Sequence, residues 1–253
     1  MELKKRLLLL IMPFLLFSAA ADEPLRGKPL ADSIYNDLSR NGINSRKITL
    51  FRSEEDNFPY NIQLNVKTLE KEPSIEERQY TAILLVFSQE EIAQRMQFLY
   101  NLIETVKKSG LEYNVSVLLS SGDIQEISGN ETMTGTEIYC EFIEGTENMC
   151  AIPVNFSTRK LCSLSAGSDF HLSPLWLLRI ITESLEENEM TPVINGGMFI
   201  SLYKLGLLSS SRKLSAFLSR DIPAVELNLP ASFSDFEKLN RVFSRLLEKF
   251  ENQ

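Results

Sequence analysis

The sequence is poor in the residues that most often hold metal ions or form disulfides. It contains one histidine and three cysteines among 253 residues. Three cysteines are too few for a disulfide-stabilised scaffold, and no Cys-x-x-Cys or Cys/His spacing predicts a metal site. An excess of basic residues is also lacking, because 26 Lys and Arg stand against 34 Asp and Glu, for a net charge of −8. Such an acidic chain is poorly suited to bind nucleic acid through a basic face.

The three cysteines leave two interpretations open. In an oxidising compartment, Cys140 and Cys150 form one disulfide and Cys162 is left over. Alternatively, all three are small apolar side chains buried in the core, as free cysteines often are. The spacing alone favours neither.

The N-terminal residues have the three parts of a secretory signal peptide. Lys-Lys-Arg at 4–6 is followed by an apolar run over residues 7–17 and by small residues at 18–21. The run is shorter than the roughly 20 residues that cross a bilayer. We therefore predict a signal peptide over residues 1–21 and a periplasmic or secreted protein, with an N-terminal anchor as the alternative. Removing this segment, with three basic residues and one acidic residue, changes the net charge from −8 to −10.

The remaining chain is predicted to be one α/β domain. Residues 22–79 form a polar extension with a short helix over 30–38 and an edge strand over 61–66. Residues 80–253 form the domain proper, which opens on the continuous apolar run YTAILLVF at 80–87. Such a run predicts a strand buried on both faces. Ser88 and Glu91 then have the spacing of a capping box, and residues 115–119 form the next strand, so the unit is βαβ and the sheet is parallel.

The same alternation continues to the end of the chain. Helices are predicted over 136–143, 174–185, 211–218 and 234–250, and strands over 149–156 and 222–229. Pro174 is suited to a first helical turn because it lacks an N–H. The Ser-Arg-Lys at 211–213 is predicted to be the solvated start of its helix. We expect a mostly parallel central sheet with helices on both faces, and the last helix packed across one face.

Three of these segments resemble the zinc-dependent exopeptidases of the bacterial aminopeptidase type. They are DIPAVEL at 221–227, SPLWLL at 173–178, and the ordered run of strands and helices over 81–155. The same fold occurs in glutaminyl cyclases and, in degenerate form, in the lumenal domain of the large GPI-transamidase subunit. The resemblance covers residues 80–229 and implies a zinc-exopeptidase-like, or phosphorylase/hydrolase-like, three-layer sandwich.

The resemblance also implies where two metal ions would be held. Family members place a His and an Asp after the first of these strands, a Glu pair after the second, an Asp after the third, and a His before the IPAV strand. At the matching places this sequence has Phe87-Ser88, Ser121-Gly122-Asp123, Asn155-Phe156 and Lys213-Leu214. Only Asp123 is a ligand type, and a divalent metal needs several. We expect no metal, no cofactor and no catalytic residue at these positions.

A ligand pocket is nevertheless expected, because open α/β sheets bind ligands at the carboxyl ends of parallel strands. Its predicted lining is Ser88, Glu90, Ser121, Asp123 and Asn155, and the ligand is unknown. Asp169 and His171, in the loop before the helix at 174, are weak further candidates, since a general base needs a partner within reach.

Three functions follow. The leading hypothesis is a non-catalytic binding or assembly protein of the cell envelope that has lost its metal site. The alternative is an active hydrolase or transferase of peptide or amide bonds that uses relocated residues, namely Asp123, Asp169 and His171. The third is an envelope structural protein whose acidic surface and C-terminal helix dock a membrane protein partner.

Overall fold

The computed structural model describes residues 27–49, 60–68, 81–123, 134–143, 148–157, 161–197 and 200–251. The predicted signal peptide at residues 1–21 lies outside these ranges. Within them, no helix is long and apolar enough to cross a bilayer.

An eight-stranded sheet forms the centre of the fold. Its strands are β1 (Ser45–Thr49), β2 (Tyr60–Lys67), β3 (Ala82–Ser88), β4 (Asn114–Ser120), β5 (Met149–Ser157), β6 (Ser163–Ser165), β9 (Val193–Asn195) and β10 (Glu226–Pro230). They are arranged in the order β1-β2-β4-β3-β5-β10-β6-β9. The central strands β4, β3, β5 and β10 run parallel, whereas β2 pairs antiparallel with β4, and β6 with β10. The mostly parallel sheet predicted from the sequence is confirmed.

Helices cover both faces of this sheet. They are α1 (Gly27–Arg40), α2 (Gln89–Ile92), α3 (Met96–Lys108), α4 (Gly135–Phe142), α5 (Leu175–Glu186), α6 (Ser201–Lys204), α7 (Arg212–Leu218) and α8 (Phe236–Glu251). The apolar sides of α1, α3, α5 and α8 pack on one face, and those of α4 and α7 pack on the other. The three-layer arrangement is therefore confirmed.

Strand β3 shows why its apolar run is continuous. Successive side chains of a strand point to opposite faces, so Leu85 and Phe87 join the core under α3 and α8, while Leu84 and Val86 join the core under α4 and α7. The Phe87 ring lies 6.4 Å from that of Phe243 on α8, centroid to centroid. The C-terminal helix thus packs across one face as predicted, and its apolar side is buried in the core.

The βαβ unit is confirmed, and its helix begins directly after Ser88 as predicted, but without the predicted side-chain cap. β3 and β4 pair in parallel from Ala82↔Asn114 to Ser88↔Ser120. The Ser88 hydroxyl donates to Glu90 Oε2 at 3.1 Å, and Glu91 Oε1 accepts from the Phe156 amide at 2.9 Å. The predicted Ser88/Glu91 capping box is wrong, because both side chains are used in these other contacts.

The strand predicted over 61–66 is not an edge strand. β2 pairs with β4 on one side and with β1 on the other, from Ser45↔Leu64 to Thr49↔Tyr60. The edge is β1, whose sequence SRKIT is short and mostly polar, so it carries little periodic signal. It forms because β2 offers it a row of unpaired backbone groups.

The disulfide interpretation is wrong, since all three cysteines are free. Cys140 belongs to the core beneath α4 and α7, and Cys150 to the core on the opposite face, so the sheet separates them. Burial raises the pKa of the Cys140 thiol to about 12 and that of the half-buried Cys162 to about 11. The alternative of cysteines as small apolar core residues therefore describes Cys140 and Cys150.

Candidate functional site

Polar side chains gather where β4 and β5 end and along the neighbouring part of β10, on the face covered by α4 and α7. We call this set the strand-end network, and its members are Ser120, Asp123, Thr136, Asn155, Ser211, Lys213, Glu226 and Asn228. Its position at the carboxyl ends of parallel strands is the place where ligands bind in sheets of this type.

Asp123 anchors the network to α4. Its Oδ2 accepts from the hydroxyls of Ser120 and Thr136, the latter at 2.7 Å, and its Oδ1 accepts from the Thr136 amide at 3.2 Å. The Asp123 side chain is completely buried. Both carboxylate oxygens are thus held by neighbouring donors, as a buried charge requires.

Two further features hold the start of α4 in place. Thr134 and Glu137 form a complete capping box, which satisfies backbone N–H groups in the first turn. Gly135 donates its N–H to the Ser121 carbonyl, and the Asn61 amide donates to the Gly135 carbonyl at 2.8 Å. A β-carbon at residue 135 would collide with both Asn61 and Ser121, so this close approach requires glycine.

Lys213 brings a buried positive charge into the network. Its Nζ donates to Asn155 Oδ1 at 2.8 Å and lies 3.7 Å from Asp123 Oδ2. The Lys213 side chain is only 5 % exposed. The prediction that residues 211–213 are the solvated start of a helix is therefore wrong for Lys213, because α7 packs against the strand ends and turns this side chain inward.

Glu226 provides a second carboxylate on the far side of Asn155. Its Oε1 accepts from the Asn155 amide at 2.7 Å and from the Ser211 hydroxyl, and its Oε2 accepts from the Asn228 amide at 3.4 Å. Asn155 therefore joins the two halves, since its oxygen accepts from Lys213 while its nitrogen donates to Glu226. The result is a continuous chain of donors and acceptors across three strands.

Glu91 lies beside this network and is partly buried. Burial raises the pKa of the Glu91 carboxyl, while the nearby Lys213 ammonium, the Phe156 amide and Arg95 act in the opposite direction. The Arg95 guanidinium stacks 4.1 Å above the Phe156 ring, and burial lowers its pKa.

The predicted pocket residues separate into three groups. Asp123 and Asn155 belong to the strand-end network and are linked through Lys213. Ser88 is next to Ser120 across the β3–β4 pair, but its hydroxyl is used by Glu90. Ser121 is buried and contributes its backbone, with its N–H donating to Asn61 Oδ1 at 3.0 Å.

The weak candidates Asp169 and His171 lie on a separate hairpin of β7 (Gly167–Ser168) and β8 (His171–Leu172). Asp169 Oδ2 accepts from the hydroxyls of Ser168 and Ser215, at 2.8 and 2.9 Å. His171 Nδ1 donates to the Asp169 carbonyl at 2.9 Å, not to its carboxylate. The imidazole is therefore oriented by the backbone of the turn.

Sequence reasoning missed Lys213 and Glu226 as members of the network. Glu226 and Asn228 carry a signal, because they alternate with Leu227 and Leu229 in a late strand and must share one face. Lys213 has no local signal, since a lysine in the first turn of a short helix usually faces water; only the resemblance pointed to it, by matching residues 213–214 to a metal-ligand position.

The comparisons with known proteins agree with the fold. Residues 47–253 match the model of the TP_0564 family, first domain. No curated protein matches the sequence. Among solved structures, a Zn-dependent exopeptidase from Parabacteroides distasonis has a TM-score of 0.56 at 10% identity, over 89% of this chain and 90% of that chain. The glutaminyl cyclase of Fimbriiglobus ruber has a TM-score of 0.56 at 11% identity, over 91% and 90%. The glutaminyl cyclase of Bacteroides thetaiotaomicron has a TM-score of 0.51 at 10% identity, over 88% of each.

The strand-end network does not fit the zinc ion that the name of the Parabacteroides neighbour implies. Among the residues that the structure describes, no three His, Cys, Asp or Glu side chains are grouped to hold a metal. The Asp123 oxygens already accept from Ser120 and Thr136, and the Lys213 ammonium faces them. A divalent cation would be repelled by that ammonium and would need ligands that these residues do not offer.

Proposed function

Because this chain belongs to the TP_0564 family, whose first-domain model it matches over residues 47–253, and has the fold of zinc exopeptidases and glutaminyl cyclases, we propose that it is a non-catalytic binding or assembly protein of the cell envelope. It keeps the exopeptidase-like fold and lacks the metal chemistry. Its predicted signal peptide directs it out of the cytoplasm.

One observation supports the non-catalytic role above all others. The Lys213 ammonium lies 3.7 Å from the buried Asp123 carboxylate and 2.8 Å from Asn155, at the strand ends where the resemblance places metal ligands. A side-chain cation there balances a carboxylate charge that a metal ion would otherwise balance. An ammonium cannot lower the pKa of a bound water as zinc does, so this arrangement offers no metal-activated nucleophile.

The test combines metal analysis with activity. The protein is purified after growth with added zinc, its zinc content is measured by mass spectrometry, and it is assayed on aminoacyl-nitroanilides and on peptides with N-terminal glutamine. We expect far less than one zinc per chain and no turnover. The Parabacteroides exopeptidase and the Fimbriiglobus glutaminyl cyclase, treated identically, serve as positive controls. About one zinc per chain, or zinc-dependent turnover, would refute the proposal.

The proposed location is tested separately. N-terminal sequencing of the exported protein is expected to start at or near Asp22, the residue after the predicted signal. An envelope partner, identified by in vivo crosslinking, must contact a surface other than the apolar side of α8, because that side is buried under α3 and α5. A protein retained in the cytoplasm with Met1 intact would contradict the envelope assignment.

A further inference from the structure

A second charged site lies beside the edge strand, on the face of the sheet opposite the strand-end network. The Lys47 ammonium sits 4.3 Å from the centroid of the Tyr35 ring and 4.5 Å from that of the Tyr60 ring. It also lies 3.6 Å from Asp32 Oδ1. The two rings meet edge to face at 82°, so they form adjacent walls around one positive charge.

We call Asp32, Tyr35 and Tyr60 the cage. These three residues are held in place by contacts that do not involve Lys47. Asp32 and Tyr35 are three residues apart on α1, which places them on the same side of that helix. The buried Tyr60, from β2, donates its hydroxyl to Asp32 Oδ1 at 2.7 Å. Burial raises the pKa of Tyr60, so its phenol stays protonated and remains a donor at physiological pH. The cage is therefore preorganised by α1 and β2.

The residue that fills the cage comes from the least buried strand of the sheet. Lys47 lies on β1, opposite Ile62 of β2, and β1 is one of the two terminal strands in the described sheet. The Lys47 side chain remains 42 % exposed, and the Asp32 side chain 41 %. Water therefore reaches the cage, and its present occupant comes from an edge strand that is paired on one side only.

We propose that Asp32, Tyr35 and Tyr60 form a binding site for a primary ammonium group, which the chain occupies with its own Lys47. Aromatic faces and a carboxylate around one cation are the chemistry that recognises ammonium ligands. The ligand that this geometry fits is a lysine side chain on an extended segment, as Lys47 itself demonstrates. Such a ligand competes with Lys47, whose effective concentration is on the order of mM or higher because it is tethered.

The proposal is tested with n-butylammonium chloride, which carries the same group as a lysine side chain. Full-length wild-type protein and the Lys47→Ser variant are titrated at constant ionic strength, and the tyrosine ring resonances are followed by NMR. We expect saturable shifts of the Tyr35 and Tyr60 resonances in Lys47→Ser, and binding at least tenfold weaker in the wild type. Arg46→Ser is the matched control, because Arg46 is exposed and points to the opposite face, near Tyr139.

Two further experiments separate binding by the aromatic rings from simple charge attraction. Adding Tyr35→Leu to Lys47→Ser is expected to weaken butylammonium binding about threefold to fivefold, the value of one ring at a partly exposed site. Neutral n-butanol is expected to leave both tyrosine resonances unmoved. The proposal is overturned if a folded Lys47→Ser variant binds no butylammonium, if it binds butanol equally well, or if wild type and variant bind alike.

Discussion

Replacing Lys213 by methionine is the most informative perturbation, because methionine keeps the length of the side chain and removes its charge. Breaking a buried ion pair costs about 3–5 kcal/mol when one charge is left unpaired. Two facts lower this figure: the Lys213–Asp123 separation is 3.7 Å, and Asp123 keeps its hydrogen bonds from Ser120 and Thr136. The loss of the 2.8 Å hydrogen bond to Asn155 adds about 1 kcal/mol. We expect Lys213→Met to lower the free energy of unfolding by about 2–4 kcal/mol.

The assay is urea unfolding followed by circular dichroism, with the midpoint and the slope fitted separately. Arg212→Met is the matched control, since Arg212 is the preceding residue and its side chain is 56 % exposed, while that of its ion-pair partner Glu137 is 20 % exposed. A solvent-accessible pair of this kind is worth about 1 kcal/mol. Because both variants remove one positive charge, the difference between their free energies of unfolding measures the effect of burial.

A double-mutant cycle with Asp123→Asn tests the mechanism. If Lys213 acts as the counter-charge of Asp123, the double variant regains much of the stability lost by Lys213→Met, because no unpaired charge remains. A cost below about 0.5 kcal/mol for Lys213→Met, or strict additivity in the cycle, would refute the assignment of Lys213 as the internal cation.

Three other predictions concern the rest of the fold. Gly135→Ala is expected to lower the free energy of unfolding by about 1–3 kcal/mol, because the added β-carbon would collide with the Asn61 side chain and the Ser121 backbone. The control is Gly110→Ala, which should change the free energy of unfolding little because the space around residue 110 is open. Urea unfolding of both variants makes the comparison. The pKa of Glu183 is lowered to about 2 by hydrogen bonds from Lys249 and Arg179, so its stabilising contribution is present above the ordinary pKa of about 4.5 and is lost as the pH falls towards 2. An NMR titration should find this value in wild type and a higher one in Lys249→Gln. Cys140, whose pKa burial raises to about 12, should not react with Ellman's reagent until the protein is denatured in urea, when all three thiols react. Because Cys162 is only half-buried, fast reaction of more than one thiol in the native protein is the result that would contradict the burial of Cys140 and Cys150.

The sequence by itself determined the fold class and the order of the main elements. The apolar run that becomes β3, the amphipathic helix after it and the next strand fix a parallel βαβ unit, because each pattern is local and strongly periodic. The 3.6-residue spacing of apolar side chains in α8 likewise determined which of its sides meets the core. Asp123 and Asn155 could be named beforehand, because ligands bind at the carboxyl ends of parallel strands and the resemblance matched these positions to metal ligands.

Only the tertiary structure decided what those polar residues do. Lys213 faces inward because α7 docks on the strand ends, and no local pattern distinguishes it from a solvated lysine. β1 exists because β2 provides a partner, and it places Lys47 between two tyrosines that are distant in sequence. Cys140 and Cys150 are ten residues apart, yet the sheet lies between them. In each case the deciding contact joins separate elements, and periodicity within one element carries no information about it.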